Sequence, residues 1–280
     1  MYCSPSHAKY VKKGTCYSDN ELKTIADEIN MIEKHNVIPK RSKKTRENIQ
    51  KYFAKQCSDK EYCWLNQLSY TTRQKLESAF RPRKPSSWYK NRKTWLNTDD
   101  INFVMIQYQH LYKDYQFLGV HPIDFAKRYN GYCIGNNLCD FNITSQLASK
   151  KYRFGLVLNL DKHDEPGSHW VALYCNLNPR KKNFGVYYYD SVAMEPGVEV
   201  KSFMDKICAQ VKQVYHPKVA SRFSRKYNTI QRQFKNTECG MFCLVFQTQC
   251  MKNIDFDEIC QRMKYDDDVN KIRDVLFSPR

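Results

Sequence analysis

The chain has 280 residues, of which 41% are apolar and 14% aromatic, and it carries a net charge of +17. This length suffices for one sizeable core, or for a catalytic domain with a smaller module, and the apolar content excludes a disordered chain. No stretch reaches the roughly 18 apolar residues that cross a bilayer, and the N-terminus lacks the apolar centre of a signal peptide. We therefore expect a soluble protein that is not secreted.

The N-terminal third of the chain has a helical pattern. Residues 18–21 form a capping box ahead of apolar residues at helical spacing, and Pro39 ends this segment. A second capping box is predicted at residues 58–61, and a further helix over residues 72–80. This part of the chain is therefore expected to be a small helical module.

Positive charge is concentrated in the same part of the chain. Residues 1–94 hold 21 Lys and Arg against 9 Asp and Glu, with a basic cluster at residues 40–46. Two interpretations stay open: a solvated face, or a docking surface for nucleic acid, a nucleoprotein or an acidic partner. Prolines within residues 81–87 indicate a linker. We predict a basic helical N-terminal module at residues 1–87 and a second domain at residues 88–280.

The second domain mixes helical and strand-like patterns. Apolar residues at helical spacing follow Thr98 and Asp99, either of which can cap a helix. Strand-like runs come next, then an amphipathic helix and finally a segment that is apolar on all sides, as in a helix buried in a core. These five elements are predicted at residues 152–160, 169–176, 184–190, 198–215 and 240–251.

The twelve cysteines are not spaced like a disulfide framework. Several lie in apolar runs, where a free thiol behaves as a small hydrophobic side chain. The pairs Cys57/Cys63 and Cys133/Cys139 are too widely spaced for a CxxC zinc site, so no metal is expected. We therefore expect reduced thiols and a reducing compartment, which also suits a catalytic thiol.

Four residues have the chemistry that a cysteine protease needs. Cys239 lies where a polar loop gives way to the apolar helix, whose positive N-terminal end favours a nucleophilic thiolate. His169, at the start of a strand-like run, is the candidate base, and Asp190, at the end of another, can fix its tautomer if those strands pair. Gln233 can donate its amide to an oxyanion. A lone cysteine or histidine is more often structural, and a glutamine in a loop is unremarkable by itself, but the joint occurrence of the four residues favours catalysis.

Two motifs resemble a known class of enzymes. The segment from Gln233 to Cys239, followed by Gly-Met-Phe, resembles the nucleophile motif of the Ulp1/adenain class of cysteine proteases, and Trp95-Leu-Asn resembles its Trp-Leu-Asn-Asp segment. Glu238 and Thr98 stand where that class usually has Asp.

Within this class, the chain is most similar to the proteases of large nucleocytoplasmic DNA viruses, the group that includes the African swine fever virus polyprotein protease. The similarity covers residues 88–280. It is carried by residues 154–159, His169-Trp-Val-Ala-Leu, Thr237-Glu-Cys-Gly and residues 262–277.

The resemblance implies an α+β, papain-like/Ulp1-like fold, in which helices flank a mixed central sheet and the small helical module precedes it. The resemblance implies that His169 is the general base, Asp190 the orienting acid, Cys239 the nucleophile and Gln233 the oxyanion donor. It also implies that Trp95 and Trp170 form the two walls of a narrow Gly-Gly channel.

The leading hypothesis is a cysteine endopeptidase that cleaves viral structural polyproteins after Gly-Gly-type sites during virion maturation. One alternative is an isopeptidase for SUMO-like or ubiquitin-like modifiers, and a second is a nucleic-acid-binding scaffold on a degenerate protease fold. We expect no cofactor, a protein substrate with a Gly-Gly motif, and nucleic acid or nucleoprotein docking through the basic module. The expected location is the host cytoplasm, in the viral factory, and the virion.

Overall fold

The computed structural model describes residues 1–39 and 43–279, so the first three residues of the basic cluster at 40–46 lie outside the described residues. The chain forms two compact units: Met1–Lys84 with the C-terminal residues from Leu276 onward, and Pro85–Val275. Within the described ranges, no helix is long and apolar enough to cross a membrane.

The first unit is helical, as its sequence pattern predicts. Buried apolar side chains, among them Tyr17, Ile25 and Trp64, form its core. Its helices are α1 (Asp19–Glu33), α2 (Thr45–Tyr52), α3 (Ala54–Cys57), α4 (Glu61–Trp64) and α5 (Tyr70–Leu76), with 3-10 helices at Ala8–Lys13, Leu65–Gln67 and Glu77–Ala79.

One of the two predicted capping boxes is present. The Ser18 hydroxyl accepts a hydrogen bond from the backbone N–H of Glu21, whose carboxylate accepts one from the Ser18 backbone. The box at residues 58–61 is wrong. Ser58 has a φ of 49°, and the buried carboxylate of Glu61 pairs instead with Arg46, with Nε and Oε1 2.8 Å apart. A tertiary contact therefore replaces the predicted local one.

The second unit contains a mixed five-stranded sheet within the described chain. The strands are β1 (Tyr115–Pro122), β2 (Arg128–Tyr129), β3 (Tyr132–Cys133), β4 (Arg153–Asn159), β5 (Trp170–Asn176), β6 (Gly185–Tyr189) and β7 (Ser224–Tyr227). The sheet order is β1-β4-β5-β6-β7, while β2 and β3 form a separate hairpin. The two outer pairs are parallel, and the two inner pairs are antiparallel.

Helices accompany this sheet along the chain, so the predicted α+β class is confirmed. They are α6 (Ser87–Lys90), α7 (Thr98–Leu111), α8 (Ile143–Ala148), α9 (Val198–Val214), α10 (Pro217–Ala220), α11 (Cys239–Met251), α12 (Phe256–Arg262), α13 (Asp266–Lys271) and α14 (Arg273–Leu276), with a 3-10 helix at Asn136–Asp140.

A buried amide fastens α11 to the sheet. The Gln247 side chain donates from Nε2 to the carbonyl oxygens of Leu156 in β4 and Leu173 in β5, at 3.2 and 2.8 Å. The backbone at Gly155 leaves room for this amide, since a Cβ there would lie 2.2 Å from Gln247 Oε1. Because buried amides are costly when unpaired, this network fixes the helix that begins at Cys239 relative to both strands.

The three central strands were predicted, but the outer two were not. The edge strand β7 is polar and partly exposed, so it lacks the alternation that identifies a half-buried strand. The pairing of β1 shifts register between Phe117 and Val120, which interrupts its period-2 pattern. Regular apolar patterns in the sequence therefore do not predict the two outer strands.

The prediction of reduced cysteines is wrong for six of them. Within the described residues, disulfides join Cys3 to Cys16, Cys57 to Cys63 and Cys133 to Cys139. Local turns bring the Cα atoms of these pairs to between 5.0 and 5.9 Å, within the range that a disulfide spans. Cys239 is among the cysteines that stay free.

Candidate active site

His169 and Asp190 meet at one end of the sheet. His169 immediately precedes β5, and Asp190 immediately follows β6. Since β5 and β6 are antiparallel, the start of one strand lies beside the end of the other. The distance from His169 Nε2 to Asp190 Oδ1 is 2.7 Å, so the two strand ends hold the ring in a fixed orientation.

The Asp190 carboxylate is fully buried and its backbone is held on both sides. Oδ1 also accepts from the backbone N–H of Val192 at 3.0 Å, whereas Oδ2 has no hydrogen-bond partner among the described residues. The Asn228 side chain accepts from the Asp190 N–H at 2.8 Å and donates to its carbonyl oxygen at 2.7 Å. Sequence reasoning missed Asn228, because it follows the polar strand β7, which carries no apolar signal.

Cys239 is the first residue of α11 and is 2% exposed. Its thiol lies near enough to His169 to contribute to the raised pKa of that imidazole. Because Nε2 of that ring faces Asp190, Nδ1 is the nitrogen left for the thiol. The imidazole therefore lies between the Asp190 carboxylate and the Cys239 thiol, and the sulfur lies at the positive N-terminal end of a buried helix.

The imidazole of His169 is poised to carry a proton at neutral pH. Burial lowers its pKa, but the hydrogen bonds and charges of Asp190 and Cys239 outweigh burial and raise the pKa from 6.5 to about 9. The protonated ring can then pair with a thiolate on one side and a carboxylate on the other.

This shift sets a pH dependence. Because the His169 pKa is raised on folding, its contribution to stability is complete below about pH 6.5 and is lost as the pH rises through about 9. We expect kcat/KM to fall along an alkaline limb centred near pH 9, as the imidazolium loses its proton. A pH–rate profile measures this limb, and Asp190→Asn should move it to lower pH. An alkaline limb at the ordinary histidine value of 6.5 would contradict the assignment.

The Gln233 side chain has one amide hydrogen that no other described residue accepts. Its Oε1 accepts from the Ser191 hydroxyl at 2.6 Å, and its Nε2 donates to the Lys235 carbonyl oxygen at 2.6 Å. A carbonyl oxygen only accepts, so the nitrogen must face Lys235 and the orientation of the amide is settled. The second Nε2 hydrogen remains for a ligand, as an oxyanion donor requires.

Replacing this side chain tests its part in the chemistry. We expect Gln233→Ala to lower kcat by about 10²- to 10³-fold with little change in KM, since an oxyanion donor acts in the transition state. Steady-state kinetics on a peptide substrate gives both constants. The neighbouring Gln231, which is exposed and donates only to the Gln233 carbonyl, is the control position. Equal losses for Gln231→Ala and Gln233→Ala would contradict the role.

The two predicted channel tryptophans differ in exposure. Trp95 is 42% exposed, whereas Trp170 is 8% exposed and donates its indole N–H to the Leu96 carbonyl oxygen at 3.0 Å. Leu96 also packs on Gly240, where a Cβ would lie 3.0 Å from the leucine Cβ. Gly240 therefore lets the Trp95 segment approach the first turn of α11.

No group of three or more metal-ligating side chains occurs within residues 1–39 and 43–279.

Comparisons with known proteins agree with this geometry. Residues 123–277 match the Ulp1 protease family, C-terminal catalytic domain. A putative thiol protease of Acanthamoeba polyphaga mimivirus is 28% identical over 234 residues, which are 80% of this chain and 71% of that protein. A cysteine protease of African swine fever virus is 27% identical over 124 residues, which are 44% of this chain and 43% of that relative.

The fold is also shared with a solved structure. The crystal structure of an African swine fever virus protease covers all of this chain with 96% of its own length, at a TM-score of 0.69 and 18% sequence identity. The family match covers more than half of the chain, and the relatives are viral thiol proteases. The chain belongs to the Ulp1 protease family and is a cysteine peptidase that acts on proteins.

Proposed function

We propose that this peptidase cleaves after Gly-Gly-type sites and processes viral structural polyproteins during virion maturation. The peptide specificity is supported by one observation in particular. Trp170 is hydrogen-bonded to the residue after Trp95, and that residue packs on the first turn of the helix that begins at Cys239. We expect a substrate that reaches the sulfur to pass these indoles, and residues without side chains to pass most easily.

The proposed chemistry uses the four polar residues in sequence. The Cys239 proton moves to His169 Nδ1, and the thiolate attacks the carbonyl carbon of the second glycine. Gln233 Nε2 donates to the oxyanion. His169 then gives its proton to the leaving amine, and water hydrolyses the thioester with His169 accepting the proton of that water. Asp190 holds the ring in the required orientation throughout.

A cleavage assay tests the substrate class. The protein is incubated with a virion structural precursor that contains a Gly-Gly site, and with the same precursor carrying valine in place of the second glycine. We expect a new C-terminal Gly-Gly, located by mass spectrometry, from the first precursor alone. Equal cleavage of both precursors would contradict a channel that selects glycine.

A SUMO isopeptidase is the second candidate, because several African swine fever virus relatives are called SUMO-1 cysteine proteases. The same incubation with a SUMO conjugate separates the two substrates. Processing of the conjugate and not of the precursor would replace the leading proposal with this one. A non-enzymatic scaffold is not retained, since the chain is a cysteine peptidase.

We further propose that the first unit docks nucleic acid or a nucleoprotein, in the viral factory of the host cytoplasm and in the virion. Residues 1–84 carry 18 basic against 9 acidic residues, and Lys13, Lys23 and Lys43 line, together with Asp19 and Asp27, one cavity of about 560 Å³ in the first unit. DNA binding that weakens steeply with added salt would support this docking. Absence of binding at 50 mM salt would contradict it, without bearing on the peptidase.

A further inference from the structure

A buried carboxylate stands between the proposed oxyanion loop and Cys239. Glu238 directly precedes α11 and is 2% exposed. Its Oε2 accepts from Arg273 Nε and Nη2 at 3.1 and 2.9 Å, and its Oε1 accepts from Asn270 Nδ2 at 2.7 Å. Both oxygens are therefore engaged, and the carboxylate has no freedom to turn toward the neighbouring sulfur.

Arg273 extends this contact to a different part of the chain. The residue is completely buried, and its guanidinium lies over the Trp88 ring, 4.4 Å from the centroid. Its Nη1 donates to the Thr94 carbonyl oxygen at 2.9 Å. One side chain thus joins the residue before Cys239 to the residue before Trp95.

A second set of hydrogen bonds joins the same two chain segments. Asn270, which donates to Glu238, also accepts at Oδ1 from Arg92 Nε at 2.7 Å. Residues 92–94 are therefore tied to Glu238 twice, once through Asn270 and once through Arg273. Trp95 directly follows Thr94, and Cys239 directly follows Glu238.

Stability alone does not explain such a pair. A buried ion pair loses its hydration and is often no more stabilising than well-packed apolar residues of the same volume. A carboxylate at a helix N-terminus also competes with a thiolate on the next residue for the same positive potential. Arg273 neutralises that carboxylate through two charge-assisted hydrogen bonds to Oε2, and Asn270 holds Oε1, so the carboxylate has a single geometry.

We propose that the Glu238–Arg273 pair positions the active site, by setting the separation between the Trp95 segment and Cys239 and by neutralising the charge next to the sulfur. This inference rests on the proposed function, which makes Cys239 the nucleophile and Trp95 a wall of the substrate channel. Glu238 and Arg273 act through Cys239 and Trp95, so they are positioning residues.

The sharpest test replaces the pair with apolar residues of similar size, Glu238→Leu with Arg273→Met. Arg273→Lys, which keeps the charge and loses the two-pronged contact, is the milder variant. We expect both proteins to fold, with kcat per titrated thiol on a Gly-Gly peptide lowered by about 10- to 100-fold, because small displacements of reacting groups have effects of that size. Thermal melting confirms that the measured molecules are folded.

The matched control is the exposed pair of the same two residue types on α12. Glu258 and Arg262 are joined by a 2.7 Å ion pair with 38% and 79% of their side chains exposed. Glu258→Gln and Arg262→Lys should keep kcat within about twofold, as surface pairs contribute little. Wild-type kcat in the folded apolar double variant would overturn the positioning role, since a pair that only stabilises the fold can be replaced in this way.

A second readout separates this inference from the proposed substrate. Alkylation of Cys239 by iodoacetamide at pH 7 needs no Gly-Gly channel, and we expect Arg273→Gln to slow it several-fold by leaving the Glu238 charge beside the sulfur. If the wild-type enzyme cleaves no Gly-Gly peptide, the substrate proposal is contradicted. If Cys239 is nevertheless alkylated more slowly in Arg273→Gln than in the wild type, the positioning role is supported. Unchanged alkylation in a folded Arg273→Gln protein contradicts the positioning role.

Discussion

Replacing Cys239 with alanine is expected to abolish proteolysis, with kcat reduced by at least about 10⁴-fold, since losing the nucleophile of a protease removes nearly all of its catalysis. The substitution removes one sulfur from a site that is 2% exposed, and α11 stays anchored through Gln247. Peptide cleavage by the purified variant, together with its circular dichroism, measures the effect on activity and on the fold.

Cys243 provides the control for this experiment. It lies one turn further along the same helix, is 1% exposed, and burial raises the pKa of its thiol well above the ordinary value. Cys243→Ala should therefore leave kcat within a few-fold of the wild type. Activity that survives in Cys239→Ala and disappears in Cys243→Ala would show that the nucleophile has been misassigned.

Replacing His169 has the second largest expected effect. We expect His169→Gln to lower kcat/KM by about 10⁴-fold, because the thiol loses its base and the leaving amine loses its acid. Glutamine keeps an amide donor for the buried Asp190 carboxylate, so the protein should remain folded. Kinetics and near-ultraviolet circular dichroism on one preparation separate these effects. Loss of the folded signal would mark His169 as structural.

The chain contains a matched histidine for comparison. His163 Nδ1 lies 2.7 Å from Asp124 Oδ2, the same separation as in the proposed catalytic pair, but no cysteine is paired with this ring in the described structure. His163→Gln should therefore change kcat/KM by no more than a few-fold. An equal loss in His163→Gln and His169→Gln would mean that the assay reports a general loss of structure.

Regular apolar patterns predict the centre of this fold from sequence. The strands β4, β5 and β6 and the helices α9 and α11 each lie within one or two residues of the predicted limits. Burial on both faces or all around imposes unbroken apolar runs on the strands and on α11, and the single buried face of α9 imposes apolar residues at helical spacing. His169 directly precedes β5, Asp190 directly follows β6 and Cys239 begins α11, so their positions follow from the pairing of two strands and the start of one helix. Their catalytic roles stay predictions until the variants are measured.

The features that sequence reasoning missed depend on contacts between distant residues. Asn228 pairs with the Asp190 backbone across 38 positions, and Arg273 pairs with Glu238 across 35. Neither partner has a local signature, since an asparagine or an arginine looks the same in a solvated loop. The three disulfides were missed for a related reason: whether a short spacing closes a bridge depends on turn geometry that composition does not report.

Covalent labelling tests the central claim most directly. A peptide that ends in Gly-Gly and carries a vinyl sulfone is incubated with the full chain, and tandem mass spectrometry locates the adduct. The account predicts a single adduct on Cys239, which disappears in Cys239→Ala and persists in Cys243→Ala. Labelling spread over several of the six free cysteines, or centred on one other than Cys239, would contradict it.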